Sequence, residues 1–243
     1  WIIVSAVLIA FILLAQIIYP KFIAPLFNKF EPLPEGELRN KLEALLIKTG
    51  FKNDGLFVMD ASKRSGHSNA YFSGFGKTKR VVLYDTLINQ MTPDELVAVL
   101  GHELGHFKLK HILKNLILTF PLTVLGIFVL FKFSQIPSLY EAFGFEVPDE
   151  GLKWIQFIGI TLLTTVWGAL SELLSPLSNL SSRRHEYQAD KFSKYLGGTP
   201  DNLISGFVKL NSENLSELFP HAIYVWWNYS HPTLVQRIQA LKS

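Results

Sequence analysis

The chain has 243 residues, 49% of them hydrophobic, and a formal net charge of +3 from 23 Lys and Arg against 20 Asp and Glu. The basic residues flank apolar runs and form no patch interleaved with aromatics, which excludes a nucleic-acid partner. Cysteine is absent, which excludes disulfides and a thiolate metal site.

Residues 1–19 contain only Ser5 and Gln16 as clearly polar side chains, enough apolar length to cross a hydrocarbon core as a helix. The run has neither the basic start nor the small-residue cleavage site of a secretory signal. It opens without Met, directly in apolar sequence, and is read as part of a longer chain. A soluble segment follows. Leu38, Leu42, Leu45 and Leu46 recur at helical spacing within residues 35–48, with Gly50 as a stop. Strand-like runs at 56–59, 70–75 and 80–84 then predict a small sheet, with 76–78 as the turn between the last two. An edge of that sheet suits an extended peptide, which adds as a strand through backbone hydrogen bonds. Asn69 lies near this edge.

Thr92 is placed to cap a helix, Pro93 fits its first position, and Asp94 and Glu95 suit its first turn. That helix carries His102-Glu103-Leu104-Gly105-His106. Residues four apart share a helical face, so the two imidazoles reach one metal ion while Glu103 sits beside its open position. Such a metal lowers the pKa of water, and the carboxylate accepts the proton as a peptide carbonyl is attacked. The pattern implies peptide hydrolysis. A third histidine in the run-on form His-x-x-Gly-x-x-His is absent. His111, five past His106, rotates off the ligand face and is read as a polar residue near the helix end.

Residues 116–133, within a span reaching back to 112, and residues 152–180 are the second and third apolar stretches. Lys21, Lys29, Lys108, Lys110, Lys114, Arg183 and Arg184 fall on one side of the three spans. Glu141, Glu146, Asp149 and Glu150 lie in the connection on the other. Basic residues near span ends stay in the cytoplasm, so the metal motif is expected on the cytoplasmic face. Glu172 is ionisable within an apolar run and is expected to face a hydrated internal cavity, against the alternative that the helix has already reached the interface.

Past the third span, Glu186 and Asp190 are four apart, a candidate ligand and a candidate acceptor for a ligand histidine's other N–H. A solvated helical face would also explain that pair. No repeat or long linker marks a second soluble domain. The chain divides into a first span (1–19), a soluble segment with the metal helix (20–111), spans at 112–133 and 152–180, and a C-terminal portion (181–243). The fold class is mainly α: a multi-span helical membrane protein with a small α+β, gluzincin-like zinc-peptidase portion.

Five blocks in order carry a family resemblance: residues 63–72 with Ser68-Asn69-Ala70-Tyr71-Phe72, residues 79–87, the block ending His102-Glu103-Leu104-Gly105-His106, residues 183–190, and residues 229–237 with His231-Pro232. Over essentially its whole length the chain resembles the type I CAAX prenyl proteases, integral-membrane zinc metallopeptidases. The resemblance implies one Zn2+ held by His102, His106 and Glu186, with Glu103 as general base. It implies that Asp190 supports a ligand histidine, that Asn69 meets the substrate backbone, and that His231 and Arg237 close the site. By chemistry those two either stabilise an oxyanion or brace Glu186. His67, His185 and His221 are read as structural.

The implied substrates are prenylated proteins, cut near their C-termini, or other membrane-associated peptides. The implied location is the endoplasmic reticulum or a bacterial inner membrane. Family members have seven spans, so further N-terminal transmembrane helices are expected as partners, beside the bilayer itself. A membrane quality-control protease and an inactive zinc-binding scaffold are the alternatives. The intact Glu103 argues against the scaffold, since a structural site needs no base.

Overall fold

The computed structural model describes residues 1–51, 54–63, 69–73, 80–147, 156–196, 199–213 and 217–243. His67, the turn at 76–78, Asp149 and Glu150 lie outside these residues. The chain forms two units, residues 15–112 with 179–243, and residues 1–14 with 113–178.

In the first of these, helix α1 (Ile2–Ile18) ends in a π-helical turn (Tyr19–Ile23) and helix α2 (Ala24–Phe27). Strand β1 (Phe30–Pro32), helix α3 (Glu37–Lys48), strand β2 (Leu56–Met59), a 3-10 turn (Ala61–Lys63), strands β3 (Ala70–Ser73) and β4 (Arg80–Tyr84), and helices α4 (Asp85–Gln90) and α5 (Pro93–Lys108) follow. The sheet order is β1-β2-β4-β3, with β2 parallel to β4 and the outer pairs antiparallel. Strand β4 is central because both its faces are apolar. Val81 and Leu83 enter the main core with Leu42, Leu46, Leu96, Leu100 and Leu104, while Val82 packs with Met59 and Ala61 on the other face. The β2 and β4 bounds match the sequence reading, and β3 begins where expected. Strand β1 was not anticipated; it is three residues long and contains Pro32, so it occupies an edge.

Thr92 accepts from the Glu95 backbone N–H at 3.3 Å and Glu95 returns a bond to the Thr92 N–H at 2.7 Å, a complete capping box at the start of α5. The same Glu95 carboxylate is buried and accepts from Ser205 at 2.5 Å and Lys209 at 2.6 Å, which ties α5 to helix α9 (Pro200–Glu213). Burial pushes this carboxyl up, but the bonds from Lys209, Ser205 and Thr92 outweigh it and hold the pKa at about 2. A depressed folded pKa contributes stability above the unfolded value, lost as pH falls toward the folded one. The parent is therefore expected to lose on the order of 2 kcal/mol more than Glu95→Gln between about pH 5 and 2. Denaturation at stepped pH checks this, and equal slopes would refute it.

The other unit holds the start of α1, helix α6 (His111–Phe133, from Leu113), helix α7 (Pro137–Ala142) and helix α8 (Gln156–Tyr195, to Ser178). Three helices, over Ile2–Phe27, His111–Phe133 and Phe157–Tyr195, are long and apolar enough to cross a membrane. The protein is a multi-span helical membrane protein. Within this unit Trp1 meets Phe128 edge-on at 5.1 Å, and the buried Tyr140 hydroxyl donates to the Ser134 carbonyl at 2.7 Å. Glu172 is exposed on α8, without an ion pair among the described residues. Helix α8 continues past the third apolar stretch and runs for 40 residues, so Glu186 and Asp190 share a helix with that stretch.

Helices α10 (Ala222–Asn228) and α11 (Leu234–Lys242) complete the chain. His221 caps α10 by accepting from the Ile223 N–H at 3.3 Å.

Candidate metal centre

Helix α5 carries His102 and His106 on one face, and α8 crosses that helix at close range. A Cβ on Gly105 would lie 2.9 Å from the Ala189 Cα, and one on Gly101 would lie 2.9 Å from the Ser193 hydroxyl oxygen. The Ser193 hydroxyl donates to the Ala98 carbonyl at 2.7 Å across the same crossing. The two glycines lie four apart, one residue before each pair of His102 and His106 positions, so the backbones meet where the ligand candidates project.

The outcome is a cluster of His102, His106 and Glu186. Their nearest atoms are His102 Nε2 to His106 Nε2 at 3.2 Å, His102 Nε2 to Glu186 Oε2 at 3.4 Å, and His106 Nε2 to Glu186 Oε1 at 3.3 Å. The Glu186 carboxylate turns one oxygen to each imidazole, and one donor atom from each of the three residues lies within 4.8 Å of the others, a grouping of two imidazoles and a carboxylate that can hold a small divalent cation. His102 and Glu186 are buried, and His106 is partly accessible. Burial alone pushes the His102 imidazole down, yet Asp190 and Glu186 raise it above its ordinary value. This pocket stabilises positive charge.

Asp190 Oδ1 lies 2.8 Å from His102 Nδ1, the ring nitrogen other than the one that approaches His106 and Glu186. Arg237, on α11, binds Asp190 through Nε at 3.0 Å and Nη2 at 2.5 Å, approaches Glu186 Oε2 at 3.5 Å, and stacks on Phe207 with 3.6 Å from Cζ to the ring centroid. The Arg237 hydrogen bonds thus run to Asp190, with Glu186 within ion-pair distance. His231 Nε2 stands 3.5 Å from Glu186 Oε1 and its side chain is 64% exposed, so it can reach a ligand. Glu103 is half-buried beside the cluster and has no hydrogen bond or ion pair among the described residues. Asn69 sits immediately before edge strand β3, accepts from the Ala70 N–H at 2.8 Å, and receives the Tyr84 N–H on its own carbonyl. Strand β3 packs against α5.

Two residues exceed their sequence reading. Arg183, counted only as a charge flanking a span, donates to the carbonyls of Val225 at 3.3 Å and Tyr229 at 2.5 Å, while Asn179 donates to Trp227. Together they fasten the α10–α11 segment to α8, which delivers His231 and Arg237 to the cluster. His111 is buried and touches His106, so its reading as a mere helix-end polar residue is corrected.

A histidine pair on one helix and a glutamate from a later helix, with the carboxylate of Glu103 next in sequence to the first histidine, are the donor set of a metallopeptidase-type centre. The match is to peptidase family M48, over residues 32–243, and the chain belongs to that family. It is 46% identical over 233 residues to the CAAX prenyl protease 1 homolog of Oryza sativa, covering 95% of this chain and 53% of that protein. With CAAX prenyl protease 1 of Saccharomyces cerevisiae it shares 41% over 240 residues, 94% and 52% of the two chains. The crystal structure of S. mikatae Ste24p is similar with a TM-score of 0.88 at 39% identity, covering 99% of this chain and 58% of that one. The chain spans about half the length of the curated relatives it matches.

Proposed function

We propose that the chain is the zinc-binding, peptide-cleaving part of a membrane metalloendopeptidase of the CAAX prenyl protease type, acting on the C-terminal peptides of prenylated proteins. The reading rests above all on the close grouping of His102, His106 and Glu186, with Glu103 next in sequence to His102 and without an ion pair among the described residues. Zinc bound there supplies Lewis acidity to water and to the scissile carbonyl. Glu103 takes the proton from the attacking water and passes it to the leaving amine. His231, exposed at the mouth, donates a hydrogen bond to the developing oxyanion. Asp190 keeps the His102 Nδ1 proton in place so that Nε2 presents its lone pair, and Arg237 holds Asp190 and Glu186; these two are positioning residues. The substrate extends along β3, with Asn69 fixing its backbone. The basic residues flanking the spans put this face on the cytoplasmic side of its membrane.

The test is zinc content and cleavage by the chain in detergent, with a farnesylated CAAX peptide and its unmodified counterpart. Stoichiometric zinc with faster cleavage of the farnesylated peptide is expected. Equal rates would point to a general quality-control protease, and zinc without cleavage of either to a scaffold; both would overturn the proposal.

A further inference from the structure

The two histidines of the cluster are supported differently. His102 has a carboxylate, Asp190, on its outward nitrogen, the arrangement usual for metal-bound imidazoles. His106 has another histidine. His111 Nδ1 lies 3.0 Å from His106 Nδ1, and His111 Nε2 lies 3.0 Å from Gln188 Oε1. His111 is 2% exposed, and its ring is stacked on His185 at 4.1 Å and 10°, which fixes the ring plane.

Hydrogen-bond logic leaves one assignment for this chain. With His106 Nε2 turned to the metal position, its proton resides on Nδ1 and is donated to His111 Nδ1. The His111 proton is then on Nε2 and is donated to the Gln188 amide oxygen, which only accepts. Each nitrogen then has one role.

The backbone makes this contact possible at a cost. Helix α5 ends at Lys108, Leu109 N–H returns to the Gly105 carbonyl, and Lys110 adopts φ +57°, the left-handed region that a side chain disfavours. That reversal folds His111 back toward His106, a contact a continuous helix would not make.

We propose that His111 is a positioning residue for the metal centre: through the His106–His111–Gln188 chain it sets the tautomer and ring orientation of His106, doing for one ligand what Asp190 does for the other. The acceptor is neutral, so it orients His106 without adding a fourth carboxylate to a pocket that already holds Glu103, Glu186 and Asp190. This inference rests on the zinc reading above.

The test compares the parent with His111→Phe, which keeps a stacking ring without an acceptor, and His111→Asn, whose amide oxygen replaces Nδ1. The readouts are zinc affinity by chelator competition and the d–d spectrum of the cobalt(II)-substituted protein. His111→Phe is expected to bind zinc about 10- to 100-fold more weakly with a changed cobalt spectrum. His111→Asn is expected to restore most of both. Parent affinity and spectrum in a folded His111→Phe would overturn the inference and leave the zinc reading standing, whereas a parent that binds no zinc would remove both. Should His111→Phe fail to fold, Gln188→Leu decides at an exposed position: a shifted cobalt spectrum supports the chain, and an unchanged one overturns it.

Discussion

Glu103→Gln is expected to abolish peptide cleavage while leaving metal binding at the parent level. The glutamine is isosteric, and among the described residues Glu103 contributes neither to the ligand cluster nor to any hydrogen bond, so no contact described there depends on its charge. What is lost is the group that accepts and returns the proton. General acid–base catalysis contributes about 10²- to 10⁴-fold, so kcat should fall by about a hundredfold to ten-thousandfold with KM little changed. Zinc by elemental analysis and single-turnover cleavage measure the two parts separately. Residual activity near the parent's would remove Glu103 as the base, and loss of zinc with activity would make it a ligand.

Gly105→Ala is expected to damage the centre through the helix crossing that assembles it. The added Cβ would meet the Ala189 Cα at 2.9 Å and the Ala189 carbonyl oxygen at 3.1 Å, both backbone atoms that cannot swing away. Helix α8 must retreat, and Glu186 and Asp190, three residues before and one after Ala189, retreat with it. Overpacking of this kind costs about 1–3 kcal/mol. Displacing one ligand and one ligand's hydrogen-bond partner together should weaken zinc at least about tenfold. Gly101→Ala is the control, because its Cβ would meet the rotatable Ser193 hydroxyl. It should lose mainly the Ser193–Ala98 bond, about 1 kcal/mol. Melting temperature and chelator competition on both variants check this. Parent-like zinc affinity in Gly105→Ala would show that the close crossing does not set the ligand geometry.

These two substitutions mark the boundary between local and long-range information. Helix α5 was legible almost to the residue, because Thr92, Pro93 and Glu95 form a cap from neighbours in sequence and because His102 and His106 share a face through helical period alone. Strands β2 and β4 were legible for a similar reason, as short apolar runs between turn residues, and the three spans through sheer apolar length. Strand β1, too short to carry a pattern, was not.

Glu186 and Asp190 stood in the sequence as a pair with a plausible spacing and no partner. Only the crossing of α5 and α8 at Gly101 and Gly105 brings them to His102 and His106, and that contact joins residues some 80 positions apart. Arg237 was expected at the site but not in a particular role; its stacking on Phe207 and its two hydrogen bonds to Asp190 exist only once α9, α11 and α8 are packed. His111 shows the limit most clearly. Helical period placed it off the ligand face, which holds for a continuous helix, but α5 stops at Lys108 and the left-handed Lys110 returns the chain. The sequence by itself thus determined the membrane class, the metal-binding helix and the candidate base, all set by interactions between near neighbours. The approach of Glu186 to the histidine pair, the contacts of Arg237 with Asp190 and the contact of His111 with His106 were decided by tertiary packing, since each depends on where the backbone passes.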